Sequence, residues 1–205
     1  MSFEAAVLTN LVAWVLYSLV FVVMLSTRKR SERQRDWSMR VGLSLHVLGM
    51  LVVPATLRPT GSPLFPSAWA YGGLLEQLVR ITVVLLEVGS IWLTLAAIRT
   101  LGKQWSVSAR LVADHQLIRS GPYGLVRHPI YTALVAMVVG SALTASTWEG
   151  VIAAAAISAL AAWIRVRSEE NLMRQTFGAE YASYARAVPA LVPWLRLRRT
   201  PPSII

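Results

Sequence analysis

The chain has 205 residues, 55% of them hydrophobic and only 15% charged, with a mean hydropathy of +0.53 and a net charge of +10. Such a balance excludes an ordinary soluble domain and points to a polytopic, all-α membrane bundle. With no cysteine, disulfides, thiolate catalysis and Cys-ligated metal drop out together.

A span needs about 20 mainly apolar residues, and five segments qualify in chain order: Ala5–Leu25, Met39–Leu57, Leu78–Ile98, Ile130–Thr147 and Val151–Ile164. The first is preceded by no basic residue and followed by no small-residue cleavage site, so it reads as a retained span. Between the first and third spans, Arg58-Pro-Thr-Gly-Ser-Pro-Leu-Phe-Pro66 is a loop that proline and glycine keep from being helical. Trp69 and Tyr71 beside it suit a membrane interface. The last two spans are joined only by Ser146-Thr-Trp-Glu-Gly150, which predicts a helical hairpin. Ala136, Gly140 and Thr144 on one arm, and Ala154, Ser158 and Ala162 on the other, are small residues at helical spacing that let helices approach closely. From Ser168 to Arg186 the pattern becomes an amphipathic, polar helix of interfacial type, ended by Val188-Pro-Ala-Leu-Val-Pro193.

Basic residues follow the first, third and fifth spans and account for 18 of the 20. By the rule that Lys and Arg accumulate in cytoplasmic loops, the N-terminus lies outside and the C-terminus in the cytoplasm. The excess charge is therefore topogenic and favours anionic headgroups, and nothing points to nucleic acid. The composition is that of a multi-pass protein of a bacterial inner membrane. One membrane domain is expected over residues 1–205, with three spans in 1–100 on the substrate side and a second, motif-rich part over 101–193.

The chemistry concentrates in Arg119-Ser-Gly-Pro-Tyr-Gly-Leu-Val-Arg-His-Pro-Ile-Tyr131. Proline suits the first turn of a helix and pushes the residue before it out of the α region, so the fourth span begins at Pro129. The unpaired N–H groups of that helix start, with Arg127 and His128 alongside, can receive an anion. Gly121-Pro-Tyr-Gly124 folds the chain over the helix end. The hairpin returns Glu169 and Glu170 to the same membrane face. As ordinary helix-surface residues they would pair with Arg165 and Arg174 at i, i+4. Adjacent helical residues point about 100° apart, so one of the two glutamates, Glu169 by preference, faces a shared pocket. A carboxylate, an anion-binding helix end and the rings of Trp105, Tyr123 and Tyr131 suit a zwitterionic, aromatic, cationic ligand such as S-adenosylmethionine, whose sulfonium is attracted to aromatic faces.

Leu101-Gly-Lys-Gln-Trp-Ser106, His115-Gln-Leu117, Gly121-Pro-Tyr123, Arg127-His-Pro-Ile-Tyr131, Glu169-Glu170, Phe177-Gly178, Tyr181, Tyr184 and Val188-Pro189 with Pro193 resemble the C-terminal signature of the isoprenylcysteine carboxyl methyltransferases and related phospholipid methyltransferases. The resemblance covers about residues 101–193. It implies an integral membrane methyltransferase that binds S-adenosylmethionine in a cytoplasmic pocket closed by the C-terminal helix, with a lipid-like or prenylated substrate entering from the bilayer. It also implies cofactor-binding roles for His115, Leu117, Gly121, Tyr123, Arg127, His128, Tyr131, Glu169 and Glu170, with His128 and Arg127 at the reacting centre. The chain departs from the pattern at Ala133, where members often carry glycine, and at Ala190, where a basic residue is common.

Methyl transfer from a sulfonium depends chiefly on holding nucleophile and methyl in line. A carboxylate acceptor needs no base, whereas an amine must first lose a proton, to His128 or a glutamate. No G-x-G-x-x-G follows a strand, so a Rossmann core is absent. An NADPH-dependent reductase of the sterol-reductase type and a non-enzymatic lipid-binding protein are the alternatives. Two ionisable residues inside spans, His46 and Glu87, either line the substrate path with Trp105 or hydrogen-bond across helices. Three scattered histidines give no metal-ligand spacing.

Overall fold

A computed structural model of the chain describes residues 3–26, 73–104 and 116–193. Among the described residues there are four α-helices and no strand: α1 (Phe3–Ser26), α2 (Gly73–Leu101), α3 (Pro129–Ala145) and α4 (Trp148–Ala187), with 3-10 turns at Gly102–Gln104 and Gly121–Gly124. The expected second span, the proline-rich loop, and the residues His46, Trp105 and His115 lie outside the described residues.

The first, third and fifth expected spans each fall within one of these helices, and the fourth, expected over Ile130–Thr147, runs two residues past the end of its helix at Ala145. Two of them, α2 and α4, are long and apolar enough to cross a membrane; the apolar stretches of α1 and α3 are shorter. The fourth begins at Pro129 as its sequence predicts, with His128 outside the α region at φ −128°, ψ 63°. The hairpin turn is tighter than expected, because Thr147 caps α4 and its hydroxyl accepts from the Gly150 N–H at 3.3 Å.

The interfacial helix expected after Arg167 is continuous with the fifth span, so α4 runs for 40 residues. The unbroken part, from Trp148 to the kink at Gly178, is roughly 45 Å long at about 1.5 Å per residue, about one and a half times the hydrocarbon thickness of a bilayer. The polar half beyond Ile164 thus extends past any single crossing. Its course is broken at Gly178, whose φ of 47° and ψ of −119° only glycine adopts at little cost.

Packing is dominated by α2 against α3, then α3 against α4, with α1 resting on both α2 and α3. The small-residue stripes are used differently from the simple hairpin pairing. A Cβ at Gly140 would come within 3.2 Å of Glu87 Cγ and 3.3 Å of Leu86 Cβ, so this glycine admits α2. Ala154 of α4 instead packs on Val138 and Ala142 of α3.

Between α1, α2 and α3 lies a buried polar cluster. The Asn10 side-chain amide donates to Glu87 Oε1 at 2.6 Å and to Ser141 Oγ at 2.9 Å, and Trp14 Nε1 donates to Ser141 Oγ at 2.7 Å. Ser141 in turn donates to the Met137 carbonyl at 2.9 Å. Of the two readings of Glu87, hydrogen bonding across helices is the one these contacts describe.

Candidate functional site

The hairpin sets the start of α3 beside the polar half of α4, and six ionisable side chains and a tyrosine meet there. Glu170 is held by two arginines. Arg127 donates to its Oε1 through Nε at 3.1 Å and through Nη2, while Arg174 Nη2 donates to Oε2 at 2.7 Å. Glu169 Oε1 accepts from Tyr131 Oη at 2.5 Å and from Arg165 Nη2 at 2.8 Å, and Arg165 Nε donates to Tyr131 Oη at 2.9 Å. Both i, i+4 pairs foreseen from the sequence therefore form, within a larger network.

His128 stands between the glutamates, with Nδ1 3.6 Å from Glu169 Oε2 and Nε2 3.6 Å from Glu170 Oε1. These are charge contacts longer than hydrogen bonds. Adjacent residues on one helix both reach the site, because the imidazole spans the angle between them. Burial disfavours the imidazolium, yet the two carboxylates outweigh it and raise the His128 pKa above 6.5. For Glu170, burial raises the carboxyl, but His128 and Arg127 prevail and hold it at about 2. Glu169 is likewise lowered, by His128, Arg165 and Tyr131 against burial.

The 3-10 turn closes one side. Gly121 opens it against Thr100 of α2, Tyr123 is buried beneath it, and Leu117 is half-buried just before it. The Tyr184 hydroxyl donates to the Tyr123 carbonyl at 2.6 Å. Burial and the nearby Glu169 charge push the Tyr123 phenol well above its usual range, keeping it neutral. On the surface, Arg119 pairs with Glu180 at 2.5 Å, an exposed contact worth at most about 1 kcal/mol.

Two expectations are corrected. The helix start is not left with its N–H groups open: those of Tyr131 and Thr132 both turn to the His128 carbonyl at 3.1 Å, and just before it the N–H groups of Arg127 and His128 donate to the carbonyls of Pro189 at 2.9 Å and Ala190 at 3.0 Å. Nor is the Arg127 guanidinium open to a ligand carboxylate. Beyond Glu170, its Nη1 donates to the carbonyls of Ala185 at 3.0 Å and Val188. The segment after α4 thus occupies the helix start, a contact no local motif announces. Thr132, whose hydroxyl donates to the Leu191 carbonyl at 2.7 Å, completes the site and was not singled out from sequence, and Arg165, read there only as a helix-surface partner of Glu169, belongs to the network as well. Trp105 and His115 cannot be placed, and Glu87 sits well away, in the interhelical cluster.

Unmet polar capacity remains around the network. Glu169 Oε2 makes no contact shorter than the 3.6 Å to His128, and the Glu169 side chain is 22% exposed against 7% for Glu170. His128 Nε2 and Tyr181 Oη are buried without hydrogen-bond partners among the described residues. A carboxylate with open lone pairs, flanked by phenols and an imidazole, fits the ammonium end of a zwitterionic ligand. Among the described residues no group of His, Cys, Asp or Glu side chains is arranged to hold a metal ion.

Among the described residues, an all-helical arrangement with two span-length helices and a largely buried His–Glu–Glu–Arg constellation where α3 meets α4 fits the class of helical membrane proteins. Comparison with known proteins resolves the class: the profile of the phospholipid methyltransferase family matches residues 78–180, just over half of the chain, and the chain belongs to that family. It is 35% identical over 124 residues to the nickel-cobalt-cadmium resistance protein NccN of Alcaligenes xylosoxydans xylosoxydans, covering 58% of this chain and 55% of that protein. It is 31% identical over 101 residues to protein-S-isoprenylcysteine O-methyltransferase B of Arabidopsis thaliana, covering 48% and 51%. The cobalt-zinc-cadmium resistance protein CzcN of Cupriavidus metallidurans is 32% identical over 123 residues, covering 58% and 54%. The chain spans about half the length of these relatives.

Proposed function

We propose that the protein is an S-adenosylmethionine-dependent methyltransferase acting on a lipid-like or prenylated acceptor at the cytoplasmic face of a membrane. The observation that carries this reading is Glu169: a partly exposed carboxylate, within the family-matched stretch, whose Oε2 is met among the described residues only by the long 3.6 Å contact to His128, with Tyr131 on its other oxygen. In this reading residues 101–193 form the cofactor part and the helices within 1–100 the acceptor side, to which Trp105 and His46 are assigned, while Glu87 keeps its place in the interhelical cluster. The N-terminus lies outside and the C-terminus in the cytoplasm of a bacterial inner membrane.

When bound, the cofactor supplies an electrophilic methyl group on a sulfonium. Glu169 would receive the ammonium of its amino-acid end. Tyr123 and Tyr131 would present neutral aromatic faces to the cationic centre. Gly121 and Leu117 would form the near wall, and His115 joins the binding set by the family resemblance. Such a site works mainly by alignment and exclusion of water. A carboxylate acceptor is already nucleophilic, so the side chains need only hold it in line. An amine acceptor must shed a proton first, and His128 is the group to take it once its own proton has gone. Because the two carboxylates raise the His128 pKa, that step is displaced to pH above the ordinary imidazole value.

Calorimetric titration of the detergent-purified protein with S-adenosylhomocysteine and with NADPH tests the reading. Binding of the former alone is expected. Binding of NADPH alone would favour a reductase, and binding of neither a lipid-binding protein. Incubation of membranes with radiolabelled methyl donor then identifies the acceptor by the lipid that is labelled. Glu169→Gln should weaken S-adenosylhomocysteine by about tenfold or more, the scale of losing a charged hydrogen bond; unchanged affinity sinks the assignment.

A further inference from the structure

The two glutamates and Arg127 share a network, but their valences are spent differently. Glu170 accepts on both oxygens, from Arg127 and from Arg174, and is nearly sealed. Arg127 has all three nitrogens committed: Nε and Nη2 to Glu170, Nη1 to the carbonyls of Ala185 and Val188. One guanidinium therefore bridges the middle of α4 to its end, from a residue whose own N–H is bonded to the Pro189 carbonyl. The neighbouring bonds from the His128 N–H to Ala190 and from the Thr132 hydroxyl to Leu191 lay residues 188–191 across the start of α3. Gly178 bends the chain so that this strap can return. A planar guanidinium carries its five donors on three separate nitrogens and so reaches acceptors along two edges at once, a spread that the single nitrogen of an ammonium does not cover.

We propose that Arg127 and Glu170 are positioning residues, a latch that fastens the 185–191 strap over the start of α3 and so retains the ligand, whereas Glu169 alone of the three touches it. This rests on the reading of the site as a cofactor pocket, and divides the labour within it. Breaking a buried, hydrogen-bonded charge pair acts mainly on dissociation. Loss of the latch should thus shorten ligand residence and raise KM for the methyl donor while kcat changes little.

The test compares Arg127→Lys, Glu170→Gln and Glu169→Gln in the full-length protein in detergent. Backbone hydrogen exchange is followed in a peptide spanning 125–128, whose Arg127 and His128 amides are bonded to the strap, and S-adenosylhomocysteine dissociation is timed by stopped flow. Arg127→Lys and Glu170→Gln should each accelerate exchange there by about tenfold or more and speed dissociation by a comparable factor. In both, kcat should stay within about twofold. Glu169→Gln should weaken binding with the exchange unchanged. Unaltered exchange in the two latch variants, or faster exchange with unaltered dissociation, overturns the proposal. So does a Glu169→Gln protein that exchanges as fast as they do. Arg127→Lys keeps the charge, so if Glu170→Gln fails to fold it still decides the matter. Should the unmodified protein bind no S-adenosylhomocysteine, the pocket reading fails and the positioning role with it. The exchange arm still reports whether the strap is fastened.

Discussion

His128 is where the local electrostatics become measurable. Its folded pKa lies above the ordinary 6.5 because Glu169 and Glu170 outweigh burial. The stabilisation it contributes is fully present below about pH 6.5 and is lost as pH rises through the raised value. Melting temperatures of the detergent-solubilised protein should therefore fall on the alkaline side of that point, and His128→Asn should flatten the dependence; identical slopes in both proteins would refute it. Glu170 has the opposite sign. Held at about 2 against an ordinary 4.5, it stabilises above the ordinary value and stops doing so as pH falls toward the folded one. Acid destabilisation in that window should be shallower in Glu170→Gln, from a lower starting stability. Removing one partner of a buried ion pair costs about 3–5 kcal/mol, a large fraction of any domain's margin.

At the scale of elements, proline and glycine were the most legible signals. Pro129 marks the start of α3 to the residue, because its ring forbids what precedes it from joining the helix. The tight turn at Ser146 and Thr147 was legible from chain length alone. What stayed hidden is the occupant of that helix start. The Val188–Leu191 carbonyls that pair with Arg127, His128 and Thr132 are main-chain groups, and main-chain acceptors carry no sequence signature. The same blindness made Arg127 look open to a ligand, since a guanidinium is written identically whether spent or free. Gly178 read as part of a motif, and only its left-handed φ shows that it redirects α4. Gly178→Ala should therefore cost about 1–3 kcal/mol through backbone strain. By contrast Ala179→Gly, one residue on, should cost no more than about 1 kcal/mol. Thermal unfolding of the two variants decides this, and equal losses would mean that the bend is not under strain with a side chain.

Across the whole molecule, polar groups gather at two levels. Ser141 stands 13 residues beyond His128, and Glu87 stands 13 residues before Thr100, which abuts Gly121. At about 1.5 Å per residue the Asn10–Glu87–Ser141–Trp14 cluster is roughly 20 Å along the bundle from the candidate site. Ser141→Ala leaves two buried donors short of an acceptor and should destabilise by about 1–3 kcal/mol. Distant sites act independently, so S-adenosylhomocysteine affinity should stay within about twofold; a coupled loss would tie the cluster to the pocket. The cysteine-free background makes topology directly testable too. Glu149→Cys and Ser183→Cys lie exposed near opposite ends of α4, and an impermeant thiol reagent added to intact cells should label only the first. Order along the polypeptide adds a temporal constraint. The acceptor carbonyls at 185–191 leave the ribosome after every other part of the constellation they close, so the Arg127–Glu170 network of a nascent chain stays incomplete until that segment has emerged.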